Sequence, residues 1–190
     1  MKKLIVAAAL MLVTVGAWAE RADSLKPVEM KYDTADLDQV TQTYILTGNV
    51  VVTRGTLILK SDKALLKETP EGFLSVTLTT GPGGVASFRQ KRDGGPDLWV
   101  EGQAQRIEYD ERAEVVKLFG GAVVKQLEGA KLTSEVDGEF ISYDNRKEFA
   151  TVRNDASGEN KPGKGRGTMI LAPRRTLPAS APAAPAPGKP

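Results

Sequence analysis

Three aspartates, Asp33, Asp110 and Asp144, each follow a tyrosine at the end of a short apolar segment. Carboxylates alone can support glycoside hydrolysis, one acting as acid and another as base or nucleophile. The chain holds no histidine and no cysteine. That removes imidazole acid–base catalysis, triads that need His, thiol nucleophiles and zinc sites built on His or Cys. An acidic residue recurring after a strand is the pattern of a turn former, whose side chain accepts backbone N–H groups. The glycine runs Gly81 to Gly84 and Gly163 to Gly167 are not followed by helical periodicity, so they do not read as phosphate loops. These residue types point away from an enzyme.

The elements that position these residues are organised around Tyr44 to Asp62, which reads as two strands meeting at Arg54-Gly55. Its features recur 73 residues later: Gly48, Val50, Leu59 and Ser61 become Gly121, Val123, Leu132 and Ser134. A second echo, at an offset of 34, matches Ile107, Tyr109, Asp110, Arg112 and Glu114 with Ile141, Tyr143, Asp144, Arg146 and Glu148. Repetition of strand, acidic turn, strand and glycine turn predicts a stack of antiparallel turns or a repeat-built β-solenoid.

Period-2 alternation supports strands throughout and helices nowhere. Val28, Met30 and Tyr32 form an early strand, and Thr34 to Gln42 reads as turn material. Tyr44, Leu46, Val50 and Val52 share one face, with Thr43, Thr47, Asn49 and Thr53 on the other. Further short strands are expected at Thr56 to Ser61, Ala64 to Lys67, Phe73 to Thr80, Val85 to Lys91, Leu98 to Glu101 and Arg106 to Asp110. Others follow at Val115 to Phe119, Ala122 to Gln126, Lys131 to Ser134, Phe140 to Asp144, Glu148 to Val152 and Thr168 to Leu171. The fold class is all-β.

Residues 1–19 have the plan of a secretory signal peptide: Lys2-Lys3, an apolar run from Leu4 to Val15, and Ala17-Trp18-Ala19. The run is shorter than the roughly 20 residues that span a bilayer, which favours cleavage over a retained anchor. Of 26 Lys and Arg, Lys2 and Lys3 fall in this leader, so the remainder balances the 24 Asp and Glu. A neutral exported chain is a poor nucleic-acid binder. Residues 172–190 hold six of the eleven prolines amid Ala and Ser and read as a disordered tail. One domain, residues 20–171, lies between.

The alternating residues define an apolar inner face that is either ordinary core or a surface for lipid chains. Periodicity reports burial and not what does the burying. The order of the early strand Val28 to Tyr32, LTGNVVVTRG at Leu46 to Gly55, LILKSDKA at Leu57 to Ala64, the two Tyr-Asp repeats and LFGGAVVKQ at Leu118 to Gln126 resembles the LptA (OstA-like) family of periplasmic lipopolysaccharide transport proteins.

The resemblance implies a twisted, partly open β-jellyroll of stacked antiparallel strands. Its apolar groove would shield the acyl chains of lipid A, and neither catalysis nor a metal or cofactor is implied. Residues expected in the groove are Leu46, Val50, Val52, Leu57, Leu59, Val76, Leu78, Ile107, Leu118, Val123 and Leu132. Val28, Met30 and Tyr32 at one end, and Thr168, Met169, Ile170 and Leu171 at the other, would be edge strands open to partners. The partners implied are an inner-membrane LptC-like protein, an outer-membrane LptD-like barrel protein and further copies of the chain, head to tail. The alternatives are a β-solenoid scaffold with a filled core and a membrane-anchored LptC-like relative.

Overall fold

The computed structural model describes residues 23, 25–95, 97–144, 146–147 and 149–173. The expected signal peptide and nearly all of the expected tail lie outside the described residues. Twelve strands carry the fold: β1 (Val28–Lys31), β2 (Thr34–Asp38), β3 (Thr43–Arg54), β4 (Leu57–Glu68), β5 (Leu74–Thr79), β6 (Ala86–Lys91), β7 (Leu98–Ala104), β8 (Arg106–Asp110), β9 (Val115–Glu128), β10 (Lys131–Asp144), β11 (Phe149–Arg153) and β12 (Thr168–Leu171). No helix among the described residues is long and apolar enough to cross a membrane.

The strands form one antiparallel meander folded along a crease. Each of β3, β4, β9 and β10 runs through the crease and pairs with different neighbours on either side of it. On one side the order is β2-β3-β4-β5-β8-β9-β10-β11, and on the other it is β1-β3-β4-β6-β7-β9-β10-β12. The short strands are successive halves of bent strands: β1 and β2 meet at Asp33, β7 and β8 at Gln105, β5 and β6 across residues 80–85, and β11 and β12 across residues 154–167. Pairing also closes a circuit of six strands, β4-β5-β8-β9-β7-β6, a closure that the expected partly open arrangement does not include.

Backbone geometry shows why the chain bends here. Gly48-Asn49 on β3 and Gly120-Gly121 on β9 are both consecutive pairs with positive φ (82° and 47°, then 78° and 58°). The first makes the register shift between Thr47 and Val50, and the second lies opposite the shift between Gly138 and Phe140. Such bulges bend a strand and sharpen its twist. Asp33 N–H donates to the Thr47 and Gly48 carbonyls at 3.1 and 3.0 Å, and Gln105 N–H to the Gly120 carbonyl at 3.0 Å. Gly81 N–H donates to Asp62 Oδ2 at 2.9 Å. Backbone groups that leave the ladder at the fold line are thus satisfied locally.

Three expectations change. Thr34–Asp38, read as turn, is a strand paired with Thr43–Thr47; its acidic alternation marks an exposed edge. The breaks expected within β4, β9 and β10 are absent, because Asp62, Gly120-Gly121 and Gly138-Glu139 bend strands without ending them. The 73-residue repeat is out of step by one: in pairing, Gly48 corresponds to Gly120 and Val50 to Ala122. The second echo has a direct basis. Ile107 and Ile141 flank Leu118 from opposite sides, and Tyr109 and Tyr143 likewise flank Val116.

Candidate functional site

Folding at the crease brings the two inner faces together. On the first sheet, Ala35, Leu46, Ala64, Leu78, Ile107, Leu118, Ile141 and Val152 are successive cross-strand partners in one row. On the second, the row is Met30, Val52, Leu59, Phe88, Gly102, Val124, Val136 and Met169. At about 4.8 Å per strand, each row runs roughly 34 Å. In its middle the interior is dry: Leu46, Leu66, Ile107 and Leu118 have no exposed surface. Gly102 is required there, because the Phe88 ring lies where its Cβ would be.

Nine of the eleven residues expected in the groove share this interior: Leu46, Val50, Val52, Leu57, Leu59, Val76, Leu78, Ile107 and Leu118. Two are placed elsewhere. Val123 lies on the outer face, lining a depression of about 330 Å³ with Lys60, Arg89 and Lys125. The one-residue slip in the repeat explains this, since inward residues on β9 are even-numbered, Val116, Leu118, Ala122 and Val124. Leu132 is 38% exposed. It sits near the end of the β9–β10 hairpin, beyond the register shift between Leu132 and Ser134, and Val136 is the residue that pairs into the inner row. Ala64, Leu66, Ala86, Phe88, Val100, Ala104 and Ala122 are interior residues the alternation did not single out. Alanine carries little periodic signal, and Phe88 and Val100 lie in strands rich in polar residues.

The interior is unequal along its length. Most inward residues from β3 to Ile141 on β10 are buried, and burial fades toward the carboxy-terminal edge, where Met169 and Leu171 are 59% and 67% exposed. At that end β12 pairs only with β10, and β11 likewise; at the other end β1 and β2 pair only with β3. Of the expected edge residues, Val28 and Met30 are half-buried within β1, Tyr32 lies just past it, and Thr168, Met169, Ile170 and Leu171 make up β12.

The rim opposite the crease is made of turns, and one ion pair crosses it. Arg54 continues the inward series of Val50 and Val52, and Glu111 continues that of Ile107 and Tyr109. Their side chains meet at 2.6 and 2.7 Å, with 15% and 8% of their surface exposed. Glu111 Oε2 also accepts Leu74 N–H at 2.8 Å, while Arg54 Nε donates to the Lys26 carbonyl at 3.1 Å.

Two of the three aspartates are turn formers, whereas Asp33, expected to be a third, accepts Asn49 Nδ2 at 3.0 Å at the crease. Asp110 accepts Ala113 N–H at 2.9 Å and Asp144 accepts Lys147 N–H at 3.1 Å. The Lys147 hydrogen bond, first among several, holds the Asp144 carboxyl below the ordinary range. Hydrogen bonds from Lys161 and then Ser157 do the same to Asp155, while Asp155 raises Lys161.

Two sheets bent along a common crease, an apolar interior between them and edges free on one side at both ends define an all-β protein of bent antiparallel strands. The family described as LptA/(LptD N-terminal domain) LPS transport protein matches residues 29–149. The lipopolysaccharide export system protein LptA of Haemophilus influenzae is 29% identical over 90% of this chain and 91% of its own length. LptA of Escherichia coli K12 is 31% identical over 74% and 71%. A crystal structure of LptH, the LptA-homologous periplasmic component of the lipopolysaccharide transport device of Pseudomonas aeruginosa, superposes with a TM-score of 0.66 at 27% identity, covering 80% of this chain and 99% of that one. The chain belongs to the LptA (OstA-like) family of lipopolysaccharide transport proteins.

Proposed function

We propose that this is a periplasmic carrier which shields the acyl chains of lipid A between its two sheets, within a jellyroll-like groove, while the sugars remain in solvent. The observation that carries the reading is the pair of apolar rows, which together run through every strand and of which the second reaches an exposed edge at Met169. A lipid with several acyl chains does not cross water unaided, because each methylene contributes about 0.8 kcal/mol when buried. An unbroken apolar track lets it move while staying buried. The free outer edges of β1 and β12, each paired on one side only, are templates for strand addition. They support head-to-tail joining of copies and bridging between an LptC-like protein at the inner membrane and an LptD-like protein at the outer membrane. The role needs no catalytic group.

A photo-crosslinking residue at Leu59 or Val76 is expected to capture lipopolysaccharide, and one at Lys60 or Thr77, on the opposite faces of the same strands, is not. Capture confined to the outer positions would overturn the assignment. The complete burial of Leu46, Ile107 and Leu118 favours a second reading, a scaffold with a permanently filled core. Protein purified from a Gram-negative host should then carry no extractable lipid.

A further inference from the structure

We infer that Arg54 and Glu111 form a clasp across the rim, and that acyl chains occupy the β3–β8 part of the interior only when this pair opens. The inference rests on the lipid-carrier reading and adds to it a residue pair that controls access.

The pairing order shows that the contact spans the interior. Arg54 ends the second-sheet half of β3, opposite Val28 and Leu57, whereas Glu111 follows the first-sheet strand β8. A direct contact at 2.6 Å therefore passes from the rim of one inner face to the rim of the other. The remaining ion pairs among the described residues join positions within one strand, adjacent strands or neighbouring turns and loops; Arg89–Glu101 and Lys125–Glu135 are of this kind. Of these pairs, Arg54–Glu111 is the one that holds the two faces against each other.

Both partners are anchored by backbone. Leu74 N–H donates to the Glu111 carboxylate and Glu111 N–H donates back to the Leu74 carbonyl at 3.0 Å, fixing the acid to the start of β5. Arg54 is tied to the segment before β1 through the Lys26 carbonyl. Leu57, Leu74 and Val116 lie at the same rim and are 6%, 6% and 9% exposed. Chains inserted there would displace this packing and part the rims. A charged pair suits such a clasp because each partner regains water when it opens, whereas an apolar contact would stay adhesive to the lipid itself.

The chain has no native cysteine, so Arg54→Cys with Glu111→Cys gives one addressable pair. Bridging it with ethanediyl bis-methanethiosulfonate spans a gap too long for a direct disulfide, and dithiothreitol releases it. The readout is lipopolysaccharide captured by a photo-crosslinker at Val76. Bridged protein is expected to capture at least tenfold less than the same protein after reduction, while bridging Arg89→Cys with Glu101→Cys, within the second sheet, leaves capture unchanged. Equal capture by bridged and reduced forms would overturn the clasp and leave the carrier reading standing. If protein without the cysteines captures none either, the carrier reading fails and takes the clasp with it. Should the double variant not fold, Glu111→Gln keeps the acceptor for Leu74 N–H and removes the charge. Its rate of lipid loading is expected to rise severalfold, and an unchanged rate would count against the clasp.

Discussion

The Asp33 carboxylate occupies the space that a side chain on Gly48 would need, so these two residues set the crease where β1 gives way to β2 and β3 bends. Gly48 has φ +82°, and a Cβ there would collide with Asp33 Oδ2. Asn49 Nδ2 donates to the same oxygen at 3.0 Å. Gln105 and Gly120 reproduce the arrangement on β9, where φ is +78° and a Cβ would meet Gln105 Oε1 at 2.6 Å. Strained φ and the collision act together, so Gly48→Ala and Gly120→Ala should each lower stability by about 1–3 kcal/mol in urea unfolding. Gly121→Ala, at φ +58° with nothing within 4 Å, should cost only about 1 kcal/mol. Equal losses at Gly120 and Gly121 would mean that contact with Gln105 contributes nothing.

Inward and outward positions on β9 should separate cleanly in their effect on stability. Leu118 is fully buried between Ile107 and Ile141, so Leu118→Ala should cost about 2–5 kcal/mol through lost burial and the cavity it leaves. Val123 is half-buried on the other face, and Val123→Ala should cost no more than about 1 kcal/mol. Denaturant midpoints measured side by side test this. A large loss at Val123 would restore it to the interior.

Much of this fold was legible in the residues because burial on one face of a strand writes itself as alternation. Val50-Val52 and Val76-Leu78 show it, and both pairs are interior. The acidic residues at Asp110 and Asp144 were legible as turns for a similar reason, since each accepts the N–H three residues on. Alternation fails where the backbone departs from a plain pleat. A glycine pair looks like the end of a strand, yet Gly120-Gly121 lies inside β9, and matching Gly48 to Gly121 carried Val123 to the wrong face. Pairing between residues far apart in the sequence leaves no local trace either. Glu111 reads as one more turn acid, and only its parity with Ile107 and Tyr109 hints that it faces Arg54.

Acid should loosen the turns before the interior. The Asp144 and Asp155 carboxyls are held below their ordinary values by hydrogen bonds, led by Lys147 and Lys161 respectively. A depressed carboxylate contributes stability that is fully present above its unfolded value, about 3.9, and is lost as pH falls through its lower folded value. Thermal midpoints should therefore hold on the approach to pH 4 as far as these groups are concerned, and fall below it. Asp155→Asn should remove its share of that fall by lowering the midpoint above pH 5 toward the acid-limb value, because the stability that the charged Asp155 contributes at neutral pH is then missing at every pH. An acid limb identical in the variant would sink the assignment.

Strand addition at the carboxy-terminal edge makes the last prediction. β12 is exposed along its whole length and pairs with β10 alone; its Met169 extends the second inner row past Val136, and Leu171 pairs with Ser134 beside that row. A second copy docking its β1 there would bring Met30, with Val28 beside it, into line with that row and continue the apolar track. Charge on that strip should block the junction without disturbing the protomer, as lysines do on natural sheet edges. Met169→Lys with Leu171→Lys should keep the circular dichroism spectrum and the thermal midpoint within about 2 °C, since both side chains are mostly exposed. In sedimentation velocity the variant should remain monomeric at concentrations where the parent associates. Association that persists unchanged would move the junction to another surface, with the β2 and β11 edges next in line because each also pairs with one strand only.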